Sequence, residues 1–180
     1  DPNVKGARSL YRQPFTTLEL ALMADGVSPK HLYPLDVERA FKVLERIKPA
    51  VVNWWRSGSD SAQLLRSREV DFLSIWASRV DELKKSGDAV DYTYDQALLD
   101  YDCVGVPKGA PNKDLAMKLI GQIMSAESQA RLVMLIPNPP INSKAYDTGI
   151  IPPEMAAKLP TAPANIDKVA MFDPVWWVDN

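Results

Sequence analysis

Apolar residues along the first half of the chain switch repeatedly between strand-like runs and helical spacing. Gly6-Ala7-Arg8-Ser9-Leu10-Tyr11 predicts a short strand, and Thr16 to Met23 a helix that Gly26 terminates. Behind Asp36 as N-cap, Val37 to Ile47 carries apolar residues at helical spacing until Pro49 stops it. Ala50-Val51-Val52-Asn53-Trp54-Trp55 reads as a buried strand, and a helix through Ala62 to Arg66 follows, capped by Ser59 or Asp60. Val70 to Trp76 is the next strand. A short helix from Arg79 to Lys85 then has Ser78 as cap and Asp81 as the second half of a partial capping box.

Leu99 to Val106 is strand-like again, and Pro107 to Asn112 punctuates it before helices near Asp114 to Met124 and Ala126 to Leu135. Strand and helix therefore alternate, which predicts an α/β fold with a mainly parallel sheet flanked by helices. Beyond Ile136, Pro137, Pro139, Pro140, Pro152, Pro153, Pro160 and Pro163 divide the chain into short pieces, among them a helix at Glu154 to Leu159. Pro174 suits the first position of a terminal helix.

Composition narrows the function classes. A formal charge of -2, from 21 basic and 23 acidic residues spread along 180, leaves no electrostatic footprint for nucleic acid or an anionic membrane. Any selectivity for charge is local. No apolar stretch approaches the ~20 residues that span a bilayer. The chain begins at Asp1 rather than Met, which reads as a piece of a longer or processed product, so the missing leader says nothing about whether the parent is exported. The one histidine, His31, sits in a loop without neighbouring metal ligands, so common zinc sites and His-driven triads have no material, and no cofactor is implied. Neither a phosphate loop nor a dinucleotide fingerprint occurs. The lone cysteine, Cys103, reads as a buried inert thiol. Asp91, Asp95, Asp100 and Asp102 lack the spacing of a calcium loop and read as a solvated acidic stretch.

Three side chains carry candidate chemistry. Trp76 closes a strand, Arg79 follows at a helix start, and Asp102 lies in the later strand-like run. Ligands of open parallel sheets gather outside the carboxyl ends of strands, where helix N-termini favour anions. Arg79 there offers a carboxylate a two-pronged grip, Asp102 offers an ammonium a partner, and Trp76 offers a ring face to an alkyl chain or ammonium. Each residue also has a plain structural reading: a core tryptophan, a surface arginine paired with Asp81 or Glu82, and a strand-end carboxylate bonded to backbone N–H groups.

Leu22-Met23-Ala24-Asp25-Gly26, the Ser61-Ala62-Gln63-Leu64-Leu65 helix after a Trp-rich strand, Val70 to Trp76, and Cys103 to Asn112 with its following helix resemble one family. It is that of periplasmic solute-binding proteins of ABC importers, of the spermidine/putrescine type (type II), and the similarity runs through nearly the whole chain. The resemblance implies two α/β lobes around a cleft. Residues 1–101 and 138–180 would belong to the second lobe, residues 102–137 would return to the first, and most of the first lobe would be missing.

Polyamine binders of this family have a tryptophan and an aspartate at the positions of Trp76 and Asp102. Where they place acidic residues at the start of the lobe's first helix, this chain reads Arg12-Gln13-Pro14-Phe15-Thr16, and where a putrescine binder has a second aspartate it has Arg79. Arg79 would repel the second ammonium of a dication. The combination resembles the γ-aminobutyrate-binding members, with the ligand carboxylate on Arg79, its ammonium on Asp102, and Trp76, Arg12 and Thr16 completing the expected contacts. Opines or other amino acids satisfy the same charges. The implied setting is the periplasm of a Gram-negative bacterium, with an inner-membrane ABC permease as partner and no nucleic acid. A spermidine or putrescine binder is the alternative, and a carboxylate-dependent hydrolase using Asp95, Asp100 and Asp102 is the reading from a different class.

Overall fold

The computed structural model describes residues 4–136, 138–162 and 164–180, so Pro137 and Pro163 lie outside the described residues. The chain divides into two units, Asp1–Leu99 with Lys168–Asn180, and Asp100–Asp167.

In the first unit, β1 (Arg8–Tyr11) leads to α1 (Pro14–Ala24) and α2 (Val37–Ile47), then β2 (Val51–Trp55), α3 (Gly58–Arg66), β3 (Phe72–Leu73) and α4 (Ala77–Lys85). β1 is the central strand of a three-stranded sheet, parallel to both β2 and β3. A second parallel pair joins β4 (Leu98–Leu99) to β5 (Ala170–Met171), and α8 (Pro174–Asp179) closes the chain. Every ladder among the described residues is parallel, so the α/β class with a parallel sheet is the observed one.

The core of this unit forms where α1 buries Leu18, Ala21, Leu22 and Met23 against Ala40 and Val43 of α2, Leu32, Leu35 and Ala170. Two caps fix the entry and exit of these helices. The Asp36 carboxylate accepts the N–H of Arg39 at the start of α2, and Gly26, at φ +89°, ends α1 with its N–H on the Met23 carbonyl. Just before that glycine, Asp25 accepts Arg39 and Arg46 at 2.8 and 2.7 Å, and the Arg46 and Arg39 guanidinium groups hold its carboxyl below the usual carboxylate range.

Glu19 is the most unusual member of the core, with 0% of its surface exposed. Its Oε1 accepts the Tyr33 hydroxyl and the Trp177 indole N–H, both at 2.7 Å, while Oε2 is buried without a partner among the described residues. This carboxyl ties α1 to the terminal helix α8. Burial, reinforced by the neighbouring Glu19, holds the Tyr33 phenol well above its ordinary range.

The second unit contains α5 (Lys113–Ile123), α6 (Ala126–Leu135) and α7 (Pro153–Ala156). Its core joins Ala130 and Val133 of α6 to Ala145, Ile151 and Leu159. None of the residues of α5 is buried, and Leu115 and Leu119 stand exposed.

Several local expectations are corrected. The strand expected over Val70 to Trp76 shrinks to Phe72–Leu73, because it pairs with β1 only at Arg8 and Ser9, and beyond them the Tyr11 N–H turns to the Ser74 hydroxyl instead of a ladder carbonyl. Trp76 therefore passes beyond the strand and becomes the N-cap of α4, the place expected for Ser78, with no side-chain capping bond. The cap of α3 is Ser57, not Ser59 or Asp60: its hydroxyl accepts the N–H of Asp60, whose carboxylate accepts that of Arg56. β2 is an edge strand with Val52 62% exposed, not a buried one. Of the run Leu99 to Val106 only Leu99 is in a strand, since the described residues of the second unit supply no ladder partner. Cys103, in that unpaired stretch, is exposed and not buried. The helix expected at Glu154 to Leu159 is the single turn Pro153–Ala156.

Truncating Glu19 leaves two buried donors unpaired and a cavity beside them. Glu19→Ala is expected to lower the unfolding free energy by about 3 kcal/mol, and Glu19→Gln, which keeps an acceptor, by less; urea titration of the two variants measures both. Because the Tyr33 pKa is raised in the folded protein, its contribution to stability is complete below about pH 10, the unfolded value, and is lost as pH rises further. Urea midpoints between pH 8 and 11 are expected to fall less steeply in Tyr33→Phe than in the unaltered protein.

Candidate functional site

Parallel pairing brings the carboxyl ends of β1, β2 and β3 to one edge of the first unit's sheet, with Tyr11 opposite Trp55 and Ser9 opposite Leu73. Two further bonds continue the alignment: the Arg12 N–H donates to the Trp55 carbonyl at 2.9 Å and the Tyr11 N–H to the Ser74 hydroxyl at 3.1 Å. Helices α1, α3 and α4 start directly beyond these strand ends. The edge thus gathers three helix N-termini, the arrangement that favours small anionic groups.

Aromatic rings fill the same edge. Tyr11 stacks on Trp55 at 4.3 Å, and Trp76 meets Trp55 edge-on at 5.5 Å and Tyr11 at 6.1 Å. Trp55 is buried, and its indole N–H has no hydrogen-bond partner among the described residues. Trp76 is 48% exposed. One side of its ring meets Trp55 and Tyr11, and the rest remains available for contact. Phe15 extends the cluster, edge-on to Tyr11 at 5.7 Å and to Phe172 and Trp177 at 6.3 and 6.4 Å.

Arg79 is in the first turn of α4, three residues beyond Trp76. Its Nη1 donates to Glu82 at 3.0 Å, with 40% and 64% of the two side chains exposed. This is the pairing that the plain structural reading supplies. Such exposed pairs are worth ~0–1 kcal/mol, so a carboxylate that binds Arg79 displaces Glu82 at small cost. Arg79 also borders an open groove of about 310 Å³ between α3 and α4, lined with Gln63, Arg66 and Glu82.

Arg12 is exposed at the end of β1, and Thr16 follows within the first turn of α1. Helical geometry breaks there: Phe15 has ψ 147° and Thr16 has φ 66° and ψ -37°. A β-branched residue at positive φ is strained, and such strain is concentrated at functional sites. The neighbouring Thr17 hydroxyl holds the bend by donating to the Tyr11 carbonyl at 2.8 Å.

Trp76, Arg79, Arg12 and Thr16 thus belong to the sheet edge of the first unit. Asp102 lies in the second unit, exposed and outside regular structure. The sequence reading placed Trp55 in a buried strand and did not single out Trp177, Tyr11, Phe15 or Gly58 as site residues. Tyr11 carried a usable signal, because it ends a strand just before a helix start, the position that the sequence pattern gives Trp76.

Comparison with known proteins gives these positions a context. Residues 1–164 match the family described as bacterial extracellular solute-binding protein. A γ-aminobutyric acid-binding protein of Pseudomonas aeruginosa is 33% identical over 180 aligned residues, covering 97% of this chain and 50% of that protein. An ABC transporter substrate-binding protein from Bradyrhizobium japonicum has a crystal structure that matches with a TM-score of 0.88 and 46% identity, over 96% of this chain and 53% of that one. The PBP AgtB from A. tumefaciens, in complex with agropinic acid, matches with a TM-score of 0.84 and 39% identity, over 100% and 56%. The chain spans about half the length of these relatives.

Glycine at position 16 removes the positive-φ strain and adds back some unfolded-state freedom. Thr16→Gly is expected to stabilise the protein by about 1 kcal/mol net, seen as a higher thermal midpoint, and a lowered midpoint would show that the bend carries no strain.

Proposed function

The chain belongs to the bacterial extracellular solute-binding proteins, and we propose that it forms part of an ABC importer's binding protein that captures γ-aminobutyrate or a related zwitterionic amino acid. The observation that carries this reading is the half-exposed Trp76 ring beside the Arg79 guanidinium, at a sheet edge where three helices begin. In the proposal the ligand carboxylate lies on Arg79, its alkyl chain on the Trp76 ring, and its ammonium on Asp102. Arg12 and Thr16 contribute from the start of α1.

The family is one of solute binders rather than enzymes. The likeness to a protein named for γ-aminobutyric acid, over 97% of this chain, supports the amino acid as ligand. A second reading, a larger carboxylate-bearing opine, is favoured by the likeness to a protein in complex with agropinic acid. Both use the same Arg79 contact.

The lobe assignment belongs to the same proposal: residues 1–101 with 138–180 in one lobe and 102–137 in the other. That part of the chain calls for cover from elsewhere is supported by α5, which buries none of its residues, while the core that Ala130 and Val133 share with Ala145, Ile151 and Leu159 runs across the 137/138 boundary. Closure of the lobes would exclude water and strengthen both charge contacts. The site of action would be the periplasm of a Gram-negative bacterium, and the recipient an inner-membrane permease.

In the full-length protein, calorimetric titration is expected to give heat with γ-aminobutyrate and none with putrescine. Arg79→Ala is expected to weaken γ-aminobutyrate binding by about tenfold or more, the loss of about one charged hydrogen bond. Heat with putrescine alone, or a dissociation constant that Arg79→Ala leaves unchanged, would sink the assignment.

A further inference from the structure

Four of the eight glycines serve the backbone alone. Gly26, Gly87, Gly109 and Gly149 have φ between +72° and +89°, and a Cβ added at any of them meets nothing within 4 Å. Gly58 is the opposite case. It is buried at the start of α3, and its φ is outside the left-handed region, so the backbone accepts any residue there. A helix position with such a backbone ordinarily favours alanine over glycine. The surroundings, not the backbone, demand glycine: a Cβ would lie 2.7 and 2.9 Å from Cζ3 and Cε3 of Trp76 and 2.8 Å from Nε of Arg79.

These are the two side chains that carry the proposed ligand contacts. We infer that Gly58 is the positioning residue of the site, seating the Trp76 ring and the Arg79 guanidinium together on the first turn of α3. Trp76 is backed by Trp55 and Tyr11, so a methyl group at position 58 has one easy outlet: it moves the ring toward solvent and Arg79 away from α3. Both displaced groups belong to partly exposed side chains, which have solvent to move into. The fold survives the change, and the relation between ring and cation does not. The consequence for selectivity rests on the reading of the previous subsection: a carboxylate needs Arg79 where it is, whereas a ligand without one does not.

The test is Gly58→Ala in the full-length protein, with Gly121→Ala, whose Cβ would meet nothing within 4 Å, as the neutral control. Gly58→Ala is expected to keep the thermal midpoint and weaken γ-aminobutyrate binding by about tenfold, close to the loss of Arg79's charged contact. In a Trp76→Phe background the added effect of Gly58→Ala is expected to shrink, because the smaller ring makes room. Without ligand, Gly58→Ala is expected to make tryptophan emission more accessible to acrylamide, and this change is expected to vanish in Trp76→Phe. Undiminished affinity in Gly58→Ala, a loss that is the same in both backgrounds, or unchanged quenching would overturn the inference. Failure of the unaltered protein to bind γ-aminobutyrate or any opine removes the ligand reading instead, and the ligand-free quenching then decides whether Gly58 seats the ring.

Discussion

Everything at the candidate site depends on the parallel pairing of β1 between β2 and β3. Parallel strands point their carboxyl ends the same way, so each chain segment that leaves the sheet starts its helix at the same edge. That geometry delivers Tyr11, Trp55 and Trp76 to one place although they come from separate parts of the sequence. The extent of the ladder matters as much as its direction. β3 pairs with β1 only at Arg8 and Ser9 and stops at Leu73, so the chain reaches Trp76 already turning into α4. The ring is therefore held at the sheet edge instead of being buried within the ladder.

A second constraint fixes the other side of the aromatic cluster. Glu19 is wholly buried, and its Oε1 collects hydrogen bonds from Tyr33 and Trp177. Burying a carboxyl is costly unless donors meet it, and here the donors are brought by segments distant in sequence. Trp177 in turn lies edge-on to Phe15, next to the strained Thr16. The terminal helix is thus linked by one polar contact and one aromatic contact to the first turn of α1, where the site begins.

The two units differ in how completely they bury their apolar residues. In the first, α1 and α2 close a core with contributions from both ends of the chain. In the second, α6 packs on the segment around Ala145 and Leu159, while the apolar residues of α5 remain in contact with solvent. An amphipathic helix gains little from its own hydrogen bonds and is stabilised mainly by covering its apolar face.

Periodicity in the sequence was enough to determine the alternation of strand and helix, the α/β class, the Asp36 cap, the termination of α1 at Gly26 and the start of α8 at Pro174. These features rest on local chemistry: the spacing of apolar residues, a side chain that reaches its own backbone, and the φ that glycine or proline supplies. The placing of Trp76 and Arg79 at a strand-to-helix turn was equally legible, since the apolar run closes on Trp76 and a helical pattern starts at Arg79. Only the tertiary structure decided where strands end, because that depends on how far a neighbouring strand pairs, and hence that Trp76, not Ser78, caps α4. It alone exposed Cys103 and left Asp102 outside any strand, since a ladder needs a neighbour that sequence spacing does not reveal. It alone showed why residue 58 is glycine: the reason lies in a ring and a guanidinium brought against it from another helix, and no pattern along the chain records that distance.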